Sequence, residues 1–211
     1  MSGVRFSVAD ARVETRAATP TVVFRIRMHA SESVHAALVR CQLQIEPRRR
    51  PHAAAEQERL ADLFGEPSRW RDTLKPLIWA QTTLITPEFK ESIEVDLPVA
   101  CTYDFEVAAA KYLQALRGGE VPLLLLFSGT IFCRTETGFR IEPIAWNQEA
   151  AYRMPVQVWR DAMNACFPDS AWIRVRQESL DVLQRCLAQR GLTNWDELID
   201  ALVEREQAAA R

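Results

Sequence analysis

Two features of this 211-residue sequence predict an α+β protein built on an antiparallel β-sandwich of the immunoglobulin-like kind. Period-two alternation of apolar and polar residues dominates the first 150 residues, and helical spacing takes over after Pro155. Strands grouped before helices, rather than alternating with them, argue against wound parallel βαβ units. About seven short strands with one wet face suggest two stacked layers, with a barrel as the alternative. The expected division is a sandwich over 1–150, with helical inserts near 53–64 and 108–116. A helical section over 151–211 is expected to pack on it.

Thr21 to Met28 alternates Val22, Phe24, Ile26 and Met28 with Arg25, Arg27 and His29. After Ser31-Glu32-Ser33, the series Val39, Cys41, Leu43 and Ile45 repeats the pattern, which predicts a hairpin with one aqueous face. Pro47 and Arg48-Arg49-Arg50-Pro51 end it. Residues 53–64 are good helix formers with an apolar stripe of Leu60, Leu63 and Phe64, and Gly65 is a natural stop. Residues 77–86 and 91–99 read as strands, and Ala108 to Leu116 as a helix closed by Gly118-Gly119. Val121–Cys133 is apolar on both faces and reads as a central strand, with Phe139–Trp146 as its hairpin partner. Helices are predicted over 156–167, over 178–190 ending at Gly191, and from a capping-box-like start at Thr193 and Asp196. The tail EREQAAAR is expected to fray.

The composition is that of an ordinary soluble globular chain, 48% hydrophobic and 26% charged. Its 26 basic and 28 acidic residues leave a net charge of −2 and no basic stripe to displace counterions, so nucleic acid is not an expected partner. The longest aliphatic run, Val121 to Phe127, is far below the ~20 residues that span a bilayer. Cys41, Cys101, Cys133, Cys166 and Cys186 are odd in number and widely spaced, the usage of a reducing cytoplasm.

No Gly-rich phosphate loop, G-x-S-x-G, H-E-x-x-H or C-x-x-C occurs, so no catalytic, cofactor or metal residue is assigned. His29 and His35 flank one predicted turn, but hairpin parity sets them on opposite faces, where they cannot close on one ion. Cys41 and Cys133 with Trp79 between them have the wrong separations for an antibody domain, and read as buried thiols. Asp104, Glu106, Lys111 and Tyr112 form the densest polar cluster in an apolar context. An enzyme would need them brought together in one pocket.

The other candidate is an interface of Arg48, Arg49, Arg50, Arg69, Trp70 and Arg71, since Arg and Trp are the commonest hot-spot residues. The competing reading pairs these arginines with their neighbours Glu56, Glu58 and Glu66. Six tryptophans (Trp70, Trp79, Trp146, Trp159, Trp172, Trp195) are many for this length. They either cap one end of the sandwich or form part of a partner interface.

Four long stretches carry a family resemblance: LVRCQLQIEPRRR, ERLADLFGEPSRWRDTL, DLPVACTYDFEVAAAKYLQALRGGEVPLLLLFSGTIF, and EPIAWNQEAAYRMPVQVWRDAMN with FPDSAWIRV. Together they resemble an uncharacterised bacterial family of a domain of unknown function, chiefly actinobacterial, over nearly the whole chain. The resemblance implies a place near uptake nickel–iron hydrogenase genes, and with it an accessory or assembly role. The expectation is a cytoplasmic, non-catalytic protein that contacts another protein, such as a metalloenzyme subunit or maturation factor, and that can self-associate. A chaperone-like binder of unfolded segments and an enzyme around Asp104, Glu106, Lys111 and Tyr112 are the alternatives.

Overall fold

The computed structural model describes residues 3–101, 107–136, 138–168, 170 and 175–209. It is an α+β structure with two antiparallel sheets and, among the described residues, six helices. Strands β1 (Val4–Val13), β2 (Thr21–Ala30) and β5 (Ser92–Ala100) form a three-stranded sheet with β2 in the middle. Strands β3 (Ala36–Ile45), β4 (Leu77–Thr86) and β6 (Glu120–Thr135) build the second sheet, with β3 between the other two. The short strands β7 (Gly138–Pro143) and β8 (Glu149–Pro155) share the remaining edge of β6. β7 takes its C-terminal part and β8 its N-terminal part.

The expected hairpin of β2 with β3 does not form. β2 pairs with β1 and β5, whereas β3 pairs with β4 and β6, so residues 31–35 carry the chain from one sheet to the other. Val22, Phe24, Ile26 and Met28 are fully buried, and so are Val39, Cys41, Leu43 and Ile45. Placing the two apolar rows in different sheets lets them enclose one core; side by side they would leave a single oily face to be covered. Phe6 of β1 stacks on Phe127 of β6 at 4.2 Å, and Phe24 of β2 meets Trp79 of β4 edge-on at 5.9 Å, so side chains of the two sheets touch. A two-way backbone bridge between Val34 and Phe89, 2.9 Å in each direction, ties the β2–β3 link to the β4–β5 link.

Two strands lie outside the predicted set. In β1 the apolar positions Val4, Phe6 and Val8 change phase to Ala11 and Val13, because a bulge between Val8 and Asp10 breaks the period. β8 is too short and too rich in alanine to stand out. At the centre of β6, Gly129 has φ +137°, and a Cβ there would lie 2.0 Å from the Leu38 carbonyl oxygen, so only glycine lets β3 and β6 approach.

Helix α1 (Ala54–Phe64) turns Leu60 and Phe64 inward and stops at Gly65, which has φ +72°. The loop that follows holds a short helix α2 (Trp70–Thr73), and α3 (Ala108–Ala115) contributes Ala109, Tyr112 and Leu113 to the core. Helix α4 (Val156–Cys166) buries Val156, Trp159 and Ala162. The five cysteines form no disulfide. Cys41 and Cys133 both belong to the second sheet, on neighbouring strands, so neither is placed for a bond across the core.

By compactness the chain divides into Met1–Ala171, which includes β8 and α4, and Trp172–Arg211. The second unit holds α5 (Gln177–Arg190) and α6 (Trp195–Ala209). The cap of α6 is Asn194 rather than Thr193. Its Oδ1 accepts the Glu197 N–H at 2.8 Å, and the Glu197 carboxylate in turn accepts the Thr193 N–H. Helix α6 extends to Ala209, into the EREQAAAR segment. No described helix is long and apolar enough to cross a membrane.

Candidate functional site

Of the six arginine and tryptophan residues expected to form an interface, two turn inward. Trp70 is only 7% exposed; its indole N–H donates to the Gly65 carbonyl at 2.8 Å, and its ring meets Phe64 and His52 edge-on. Arg50 forms a two-pronged pair with the buried Glu56 carboxylate at 3.0 and 3.1 Å. These two side chains tie down the segments on either side of α1. Arg48, Arg49, Arg69 and Arg71 stay exposed. Arg48 and Arg71 share an open depression with the edge of Trp70, Asp72 and Leu74.

Glu56 is the centre of this inner cluster. Besides Arg50, it accepts the Arg117 backbone N–H at 2.7 Å and the Ala53 N–H at 3.2 Å, which closes the first turn of α1. Burial alone would raise its pKa. The Arg117 N–H, the Arg50 charge and the Ala53 N–H outweigh that and hold it below the usual carboxylate value. Next to it, His52 Nε2 lies 3.1 Å from the Tyr112 hydroxyl. Burial, then the Arg50 charge, lowers the His52 pKa despite the opposing pull of Glu56, and burial raises that of Tyr112. The cluster joins α1, α3 and the loop after β3.

The proposed acid–base cluster is only half visible, since Asp104 and Glu106 lie outside the described residues. The other two members diverge. Lys111 reaches Asp62 at 2.6 Å, while Tyr112 turns to His52. The histidines are likewise dispersed. His29 is exposed on β2, and His35 sits before β3 beside Glu88 and the Phe139 ring. No group of three or more His, Cys, Asp or Glu side chains suited to a metal occurs among the described residues.

Not legible in the sequence is the contrast between the two outer sheet faces. On the three-stranded sheet, Arg12 and Arg25 both bind Asp96, at 2.5 and 3.3 Å, and Arg27 binds Glu94 at 2.5 Å. The side-chain hydrogen bond from Arg12 holds the Asp96 pKa below its usual value. On the five-stranded sheet, the register sets Leu38 between Ile85 and Thr130, and Ile141 opposite Phe132. Ile85 is 73% exposed, Ile141 64% and Phe139 54%.

Across this second face runs an open groove of about 600 Å³, lined by Arg40, Gln42, Gln81, Thr83, Ser128 and Trp146. Trp146, in the turn between β7 and β8, is 94% exposed. Gln81 donates to Gln42 at 3.3 Å, and the Arg40 side chain makes no ion pair or hydrogen bond among the described residues. The groove can therefore offer a cation, amides, hydroxyls and an indole plane.

The whole chain, residues 1–211, matches the model of one protein family. The chain belongs to DUF6084, a family of unknown function. No curated protein matches the sequence of this DUF6084 member. Among solved structures, the solution structure of a protein assigned to the late embryogenesis abundant (LEA) class overlaps 72% of each chain. Its identity is 11% and its TM-score 0.35. β-Glucosidase from Kluyveromyces marxianus shows 6% identity and a TM-score of 0.28, and β-glucosidase 3B from Thermotoga neapolitana 11% and 0.27. The DUF6084 chain is covered to 72% in both comparisons but spans only 15% and 17% of those enzymes. At such scores these likenesses carry no argument.

The groove of this DUF6084 chain draws on β3, β4, β6 and the turn at Trp146, which no local motif joins. One signal was available: Leu77 to Thr86, LIWAQTTLIT, has exposed-parity positions without a single charge.

Proposed function

We propose that this protein is a non-catalytic accessory protein that holds another protein against the outer face of its five-stranded sheet. The observation that carries this is the exposure of Ile85, Phe139, Ile141 and Trp146 on that face, while the other sheet covers its outer face with ion pairs. Exposed apolar residues gathered on one face mark interaction sites, and Trp is the side chain most often found as a hot spot. The fitting partner surface is apolar and carries a carboxylate, because Arg40 stands in the groove without a counter-charge among the described residues. This reading moves the interface away from Trp70 and Arg50, whose side chains serve the fold.

We infer that the scaffold is an immunoglobulin-like sandwich. Support comes from the order β1–β2–β5 in one sheet against β4–β3–β6–β7 in the other, with aromatic contacts between them. Such sandwiches serve widely as scaffolds for binding surfaces, and fold by itself names no activity.

The test is affinity capture from native lysate with three baits: wild type, a Trp146→Asp/Ile141→Lys variant, and an Arg27→Glu variant on the opposite face. A discrete protein retained by wild type and Arg27→Glu but lost with the double variant is the expected result. Equal retention by all three baits would overturn the reading. So would suppression of the aggregation of a denatured model protein by wild type alone, which is the behaviour of a general chaperone.

A further inference from the structure

Each sheet ends in strands whose outer backbone groups lack a partner strand, and folded proteins blunt such edges with charge, proline, bulges or short length. Three of the four edges here are blunted. β1 has its bulge and carries Arg5, Asp10 and Arg12; β5 carries Glu94, Asp96 and Pro98. The third edge is divided between β7 and β8, of six and seven residues, with Arg140, Glu142, Glu149 and Arg153. β4 is different. It runs ten residues, LIWAQTTLIT, with no charge, proline or glycine; its bulge, at Trp79, lies towards its start, and among the described residues it pairs with β3 alone. None of its backbone N–H or C=O groups makes a further backbone hydrogen bond among the described residues.

We propose that β4 pairs with β4 of a second copy of this chain, joining two five-stranded sheets into one antiparallel sheet across a two-fold axis at Thr83. A ladder of open backbone groups is completed only by another strand, and this strand suits itself. A perpendicular two-fold axis must pass through a residue for facing side chains to share a side, since parity alternates along a strand. With the axis at Thr83, Thr83 faces its own copy, Gln81 faces Ile85, and Thr82 faces Leu84. Gln81, Thr83 and Ile85 are all exposed on the outer side, and no like charges oppose each other. The pairing covers Ile85, the most exposed aliphatic residue on that face. It also sets the two grooves side by side, because Gln81 and Thr83 line each of them. On β1 or β5 the same operation would bring charged side chains into the joint.

With the axis at Thr83 the paired stretch is residues 80–86, at the small end of interface sizes, so the dimer is expected in the ~1–100 µM range. Sedimentation equilibrium of the full chain over that range reads it as a shift from 24.0 kDa towards twice that mass. Thr83→Lys sets two ammonium groups face to face and Thr83→Glu two carboxylates, so each variant alone should stay monomeric at 100 µM. Mixing the two should restore a dimer that contains one of each. Ile141→Lys, on the same face but on β7 at the opposite edge, should dimerise like wild type.

A wild type that remains 24.0 kDa at 100 µM overturns the proposal, and so does a Thr83→Lys variant that still dimerises. Should Thr83→Lys fail to fold, Ile85→Lys takes its place with the same expected loss. Either negative outcome leaves the capture experiment with Trp146 and Ile141 unaffected, since that readout does not depend on self-association.

Discussion

The outer faces of the two sheets began from similar strands and ended differently. Both sheets bury their inner rows in one core, yet one outer face is closed by Arg12, Arg25 and Arg27 against Asp96 and Glu94, and the other exposes several large apolar side chains around a groove with few charges. The paired face satisfies its charges internally and has little left to offer a partner. The second face has Trp146, Ile141 and Ile85 in water and Arg40 without a counter-charge among the described residues. Stability and binding are therefore expected to reside in different parts of this molecule. Exposed ion pairs contribute little to either, and desolvating an exposed tryptophan contributes mainly to binding.

The largest effect should come from a lesion that ignores this division. Glu56→Ala leaves Arg50 buried without its partner and opens the first turn of α1. Breaking such a pair costs about 3–5 kcal/mol, so thermal unfolding should shift down by roughly 10 °C. Gly129→Val should be at least as damaging, because the β3 backbone blocks the added Cβ. If either variant keeps wild-type stability, the α1 anchor or the β3–β6 pairing is not held as described.

Next in size is Trp146→Asp with Ile141→Lys. It should weaken partner capture at least tenfold, as expected for a hot-spot tryptophan, while the melting temperature stays within about 2 °C of wild type. A large loss of stability would mean that this face belongs to the core and would remove the contrast.

A pH titration sharpens it further. Glu56 and His52 both have lowered pKa values, so the folded state binds fewer protons than the unfolded state between the folded and unfolded values. Stability is then complete above the unfolded values, near 4.5 for Glu56 and 6.5 for His52, and is lost as pH falls through the folded ones. Melting temperature should fall from pH 7 to pH 4, and His52→Gln should flatten the first part of that fall, just below pH 6.5. An unchanged profile would mean that His52 has the same pKa in both states.

The smallest effect belongs to the charged face. Asp96→Asn removes the common acceptor of Arg12 and Arg25, yet these groups are exposed and screened by solvent. A loss of about 2 °C or less in melting temperature is expected, shrinking in 1 M salt. It should also disappear at low pH, because a lowered carboxylate pKa contributes stability that is lost as pH falls through the folded value. A larger, salt-insensitive loss would mean that this face holds the fold.

Most of the strands and every long helix could be read from the sequence, because alternation in Val22–Met28 or Val39–Ile45 and helical spacing in Val156–Phe167 report burial within one element. β1 escaped because its bulge shifts the phase, and β8 because Ala150 and Ala151 give a weak contrast between faces. The groove was not legible. Gln42, Gln81, Ser128 and Trp146 are ordinary residues in their own segments, and only the pairing of β3 with β4 and β6 brings them together. Trp70 and Arg50 looked like surface residues because a sequence shows composition without direction; the Gly65 carbonyl and the Glu56 carboxylate turn them inward.

By itself the sequence determined most of the buried rows within single strands and helices, since each must hide its apolar row wherever it packs. The tertiary structure alone decided which strands became neighbours. Local alternation suited a β2–β3 hairpin as well as a crossing between sheets. The crossing prevailed because it places two apolar rows around one core and lets Gly129 bring β6 against β3. That choice also left β4 at an edge and its neutral side facing water, and the binding readings rest on that placement.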